Sequence, residues 1–260
     1  MLIFSAITPH PPLLIPMIGK ENLDVIKKTK QAMEKLAGDL YCLKPDTIII
    51  FSPHGEINLN KITINQSPLL TTSFAEFGDL VTKFQWQGDI GFAYKIYENF
   101  ETKNQLCLIH SDKVDHGVSV PLFYLTQKLE NTKIIPINYS DANLVSHFSF
   151  GKQLSELIKN SNKRIAVVAS DDLSHRLTKD SPDGFNPAGA KFDRKLIELI
   201  KNKKYNSIIK INPDFVKEAG ECGLRSIAIL LGVINEINLE PNILSYEGPF
   251  GVGYLVAEFV

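Results

Sequence analysis

The run Thr47-Ile48-Ile49-Ile50-Phe51 constrains this chain more than any other stretch. Consecutive β-branched and aromatic residues leave almost no polar face to turn to water, so the run reads as a strand covered on both sides and central in its sheet. Comparable short apolar runs at residues 2–7, 105–109, 133–137 and 164–169 alternate with helical periodicity. In the first helix, of about 22–43, Leu23, Ile26, Met33, Leu36 and Leu40 recur on one face, and Pro45 marks its end. Further helices are expected near 90–100, 118–129, from an N-cap at Ser140 or Asp141 towards 158, at 191–201 and at 223–234, with a short helical region from Pro213. Strand-like patterns at 62–64, 80–86, 243–246 and 254–259 complete the list, and 181–189, rich in Pro and Gly, reads as a surface loop. Strands alternating with helices predict an α/β fold: a single domain over residues 1–260, with a central mixed, largely parallel sheet flanked by helices.

Four of the six histidines stand just past one of these strands: His10, His54, His116 and His175. Ligands in open parallel sheets bind outside the carboxyl ends of the strands, so side chains delivered there can converge on one point. Composition supports a soluble enzyme with a small partner. At 260 residues and 44% hydrophobic content the chain can bury a large core. Its net charge of −1 gives no electrostatic reason to expect nucleic acid or an anionic membrane. Cys42, Cys107 and Cys222 are odd in number and form no CxxC pair, which argues against a disulfide framework or a structural zinc cage and fits a reducing cytoplasm. The apolar N-terminus lacks a basic start and is interrupted by Pro9, Pro11, Pro12 and Pro16, so a first strand and loop are expected there, not a signal peptide. No apolar run approaches the roughly 20 residues of a spanning helix.

His10 in Thr8-Pro-His10-Pro-Pro and His54 in Ser52-Pro-His54-Gly-Glu sit in stiff Pro-His turns that suit metal ligands, against the alternative of surface histidines in proline turns. His175 follows Ser170-Asp-Asp-Leu-Ser, whose carboxylates either orient the imidazole as a base or cap a helix beneath an exposed ring. His116, in Asp115-His-Gly, is a functional histidine or a polar turn residue; His110 and His147 read as structural or solvent-facing. Two imidazoles need an anionic third ligand to hold Fe(II) with positions open for substrate. Glu218 and Glu221, three apart before an apolar helix, supply it if they share a helical face; exposed first-turn acids are the alternative. Cys222 reads as a small buried hydrophobe. Phe185, Tyr246 and Phe250 are candidate pocket aromatics or ordinary packing.

Five elements in order, Thr8-Pro-His10-Pro-Pro, Ser52-Pro-His54-Gly-Glu, Asp115-His116-Gly-Val-Ser-Val-Pro-Leu, Ser170-Asp-Asp-Leu-Ser-His175 and Glu218-Ala-Gly-Glu221-Cys-Gly-Leu-Arg, resemble the class III extradiol ring-cleavage dioxygenases, nearest the catalytic β-subunit type. The resemblance implies a catalytic domain spanning the chain, with His10, His54 and Glu221 holding Fe(II) and Glu218 as the fallback ligand. It implies His175 as the acid/base and His116 as a second catalytic histidine near substrate and oxygen. The implied reaction is ring opening of a catechol-type or aminophenol substrate by O2, and the implied partners are that small aromatic and either a companion subunit or further copies of the chain. Memo-like proteins share the fold and resemble this chain around Cys222-Gly223, which makes a metal-binding or redox protein without ring cleavage the alternative. A hydrolase using zinc-bound water is a third reading.

Overall fold

The structure is a computed structural model that describes residues 1–55, 58, 60–100 and 105–260. Its centre is an eight-stranded sheet built from β1 (Leu2–Thr8), β2 (Thr47–Ser52), β3 (Ile62–Asn65), β6 (Leu106–Ile109), β7 (Lys133–Asn138), β8 (Ile165–Ser170), β9 (Pro241–Glu247) and β10 (Tyr254–Phe259), while β4 (Leu69–Phe74) and β5 (Asp79–Gln87) form a separate hairpin. The helices are α1 (Pro16–Gly19), α2 (Asn22–Val25), α3 (Lys27–Leu43), α4 (Ile90–Phe100), α5 (His116–Leu125), α6 (Leu144–Lys159), α7 (Pro187–Lys201), α8 (Tyr205–Ile208), α9 (Pro213–Ala219) and α10 (Leu224–Ile234). Among the described residues no helix is long and apolar enough to cross a membrane.

The sheet order is β6-β3-β7-β2-β8-β1-β10-β9. Its middle, β7-β2-β8-β1, is parallel; β3 joins β7 and β10 joins β1 in the antiparallel sense, so the sheet is mixed. The strand at 47–52 is central, between β7 and β8, as its uninterrupted apolar run requires. Side chains alternate across the pleat: Ile49 and Phe51 enter one core layer and Ile48 and Ile50 the other. The first layer packs against α6, α7 and α10, the second against α3, α5 and the hairpin. Phe51 is fully buried, and its truncation to Ala would cost about 3–5 kcal/mol.

Several elements depart from the sequence pattern for identifiable reasons. The expected 22–43 helix is broken at Ile26, whose φ of −104° and ψ of 32° lie outside the helical region, leaving α2 and α3. Strand β4 escapes detection because its exposure alternates without a clean apolar face. Helix α6 is capped by Asn143, whose side chain accepts from Ser146 N, two to three residues later than expected. Helix α7 starts at Pro187, inside the expected loop, because Asn186 caps Ala188 N and proline fits the first helical turn. No helix follows His175: residues 171–186 are irregular backbone, which removes the helix-cap reading of Asp171, Asp172 and Ser174.

Candidate metal centre

The parallel strands β1, β2 and β8 end along one edge, and the residues just past them meet there. His10 is 1% exposed. Its backbone N–H donates to Asp172 Oδ1 at 2.9 Å and its Nδ1 lies 2.8 Å from Ser170 Oγ. With Nδ1 occupied, Nε2 faces His54 Nε2 at 3.0 Å. Past β2, Ser52 Oγ donates to Asp115 Oδ1 at 2.6 Å and accepts from His54 N at 3.3 Å, tying the His54 turn to the first turn of α5. Asp115 caps that helix through Val118 N, so His116, its first residue, is delivered to the same place. The His116 ring stacks on His54 with centroids 4.3 Å apart and meets His10 edge-on at 5.5 Å. Phe77, from the short turn between β4 and β5, closes on the His116 ring edge-on at 5.3 Å.

The third group at this point is Cys222, whose Sγ is 3.5 Å from His10 Nε2. The donor atoms of His10, His54 and Cys222 all lie within 4.8 Å of one another. Glu221 is placed elsewhere: its Oε2 accepts from Leu224 N at 2.5 Å, capping α10. Glu218 is exposed on α9. The two acids do not share a helical face, because α9 ends at Ala219 and Gly220 turns left-handed with φ 63°. Glu56 of the His54 motif lies outside the described residues.

His175 is held by backbone, not by the acids before it. Its N–H and its Nδ1 each lie 2.9 Å from the Gly220 carbonyl oxygen. A carbonyl only accepts, so Nδ1 carries the proton and Nε2 is left as the basic nitrogen. Of the two expected partners, Asp172 serves His10, and Asp171 is buried beside Gly223 with no hydrogen bond to His175 among the described residues. His147 is structural, as the sequence suggests: Nδ1–H donates to Asn143 O and Nε2 accepts from Ser140 N. His110 is exposed, as is Phe185. Tyr246 donates to Asp193 Oδ2 at 2.6 Å, and Phe250 packs half-buried against the core.

The chain matches the family described as the catalytic LigB subunit of aromatic ring-opening dioxygenase over residues 5–257. It belongs to the LigB family. Within that class III extradiol group, the 2-aminophenol 1,6-dioxygenase beta subunit of Pseudomonas sp. is 21% identical over 293 residues, 99% of this chain and 93% of that protein. Protein CA_C1420 of Clostridium acetobutylicum is 34% identical over 256 residues, 95% of this chain but only 55% of that protein's length. The crystal structure of the uncharacterized protein JW3007 of Escherichia coli K12 superposes with a TM-score of 0.67 at 13% identity, covering 99% of this chain and all of that one, which supports the fold.

In this LigB chain the donors are in the protonation states a metal needs, or one step from them. Burial, then the neighbouring His54, His116 and His175, holds His10 well below the usual imidazole range. Burial, then His116 and His175, lowers His54 to about 4, although part of its surface reaches solvent. Burial lowers His116 too, outweighing the opposing charges of Asp115 and Glu76. Three neutral imidazoles therefore stand together at neutral pH. Burial, then Asp172, Asp171 and Glu221, pushes the Cys222 thiol well up. A bound cation reverses that balance by stabilising the thiolate. Two imidazoles and a thiol fit zinc, copper or iron better than magnesium or calcium. The sequence singled out Cys222 only through the Memo-like resemblance around Cys222-Gly223 and not as the expected ligand; in the structure the turn at Gly220 brings its Sγ, and not the Glu221 carboxylate, to the histidines.

Proposed function

We propose that the protein binds one transition metal, Fe(II) in its active form, between His10, His54 and Cys222, and opens the ring of a small catechol- or aminophenol-type aromatic with O2. The observation that carries this reading is the convergence of His10 Nε2, His54 Nε2 and Cys222 Sγ at the carboxyl edge of the sheet in a LigB chain. An aminophenol is the compound in the name of the Pseudomonas relative, and that class is extended here to this chain. The metal would supply a point where substrate oxygen or nitrogen and O2 are held side by side.

The protein's own residues then have separate tasks. His175, with Nε2 free and Nδ1 fixed on Gly220 O, takes the phenolic proton and later returns one. His116, stacked on His54 and braced by Phe77, faces the substrate side of the centre. Ser170 holds the tilt of the His10 ring through Nδ1. Three free cysteines fit a cytoplasmic setting, and the beta-subunit name of the Pseudomonas relative supports association with a companion chain or a second copy.

A second reading is favoured by Cys222, which stands where a carboxylate ligand was expected: a Memo-like metal or redox protein without ring cleavage. Anaerobic Fe(II) loading followed by an oxygen-uptake screen over catechols, protocatechuate, gallate and aminophenols separates the two. Ring opening predicts iron-dependent uptake with a new product absorbance, lost in His10→Ala. One equivalent of metal with no uptake on any of these compounds selects the second reading.

A further inference from the structure

Behind the Cys222 loop lies a cavity of about 590 Å³ that the metal centre does not use. Gly220 and Glu221 form its shared wall; Leu144, Ile211 and Val216 make it apolar, and Lys217 and Arg225 bring positive charge. A volume of this size suits a small organic ligand. Arg225 is half-buried and fixed from two sides: its Nε donates to Ala142 O at 3.1 Å and its guanidinium lies 5.5 Å from the Tyr139 ring centroid. Among the described residues no carboxylate forms a salt bridge with it, although its charge reaches the buried Glu221 on the same wall, and its two terminal nitrogens remain to be used. Of the acids on the wall, Glu221 is committed to Leu224 N and Asp141 is exposed to solvent. A planar guanidinium pinned beside apolar walls matches a carboxylate carried on a hydrophobic body.

We infer that this cavity is a second binding site, for a small carboxylate with an apolar or aromatic body, recognised by Arg225. The inference stands apart from the ring-opening reading, since no ligand of the metal centre lines the cavity. Its occupant would nevertheless press on functional backbone. The Gly220 carbonyl holds His175, and Tyr139, beneath the guanidinium, donates to Cys222 O at 2.6 Å.

The test is calorimetric titration of the full chain with benzoate, and with benzamide as the neutral isostere. Wild type and His10→Ala should bind benzoate with equal affinity, while benzamide binds at least about tenfold more weakly, as loss of a charge-assisted bidentate contact requires. Arg225→Gln should weaken benzoate by a similar factor. Val216→Trp, which fills the cavity without removing the guanidinium, should do the same. Wild-type affinity in both variants, loss of binding in His10→Ala, or no benzoate binding to wild type would overturn the assignment.

Discussion

His175 and Gly220 are joined twice, because both the backbone N–H and the ring Nδ1 of the histidine reach the same carbonyl oxygen at 2.9 Å. Gly220 begins the turn that presents Cys222 to His10. The proton-transfer candidate and the sulfur donor therefore ride on one piece of backbone, reinforced by Ser174 Oγ donating to Ala219 O at 2.6 Å. Movement of that turn alters both at once.

Metal content should separate Cys222 from Glu221. Cys222→Ala removes a donor from the convergent set and should lose stoichiometric metal. Glu221→Gln should keep most of it and weaken, without removing, the bond from Leu224 N, with a stability cost of at most about 1 kcal/mol for the lost charge at the start of α10. Metal analysis and thermal unfolding of the two variants check this directly, and the reverse pattern would return the carboxylate to the centre.

Turnover should separate His175 from the ligands. His175→Ala should retain metal, since its ring is anchored on Gly220, while ring opening falls about 10²–10⁴-fold. Loss of metal in this variant would make it a ligand; unaltered turnover would remove it from the reaction.

Asp193 should matter for stability although it stands on α7, outside the centre. It accepts from Ser174 N at 3.0 Å and from Tyr246 OH at 2.6 Å, so Asp193→Ala strands the buried Ser174 N–H at about 1–3 kcal/mol and releases a Tyr246 hydroxyl that water can reach. Denaturant unfolding of Asp193→Ala and Tyr246→Phe measures it, with the larger loss expected in the first.

A pH-dependent part of the stability is expected from Asp89. Burial disfavours its charge, yet hydrogen bonds from Lys163 and Thr47 outweigh that and hold its carboxyl below the usual range. A carboxyl lowered in the folded state stabilises fully above its unfolded pKa of about 3.9 and loses that contribution as pH falls through the lower folded value. The stability gap between wild type and Asp89→Asn should be constant above about pH 5 and shrink in stronger acid. A gap that widens on acidification would contradict the assignment.

The sheet and the positions of His10, His54 and His175 past strand ends were legible because short apolar runs carry a local signal that tertiary packing reinforces; His116, expected just past the strand at 105–109, instead opens α5, and β6 lies at the outer edge of the sheet. Thr47–Ser52 is central for the reason its residues suggest, and His10, His54 and His116 meet because β1 and β2 end, and α5 begins, at one edge. The third member of the convergent group was legible only as the Memo-like alternative. Glu221 and Cys222 are neighbours, and a single left-handed residue, Gly220, together with the pull of Leu224 N on Glu221, settles which side chain faces the histidines. Asp171 and Asp172 were expected to orient His175, but that role falls to a carbonyl, which carries no residue-specific signal.

The central claim is the donor set, and X-ray absorption at the metal edge of the loaded protein tests it most directly. One sulfur scatterer at about 2.3 Å with two imidazoles in wild type, and no sulfur in Cys222→Ser, is the expected result. A wild-type spectrum with only nitrogen and oxygen neighbours would contradict it.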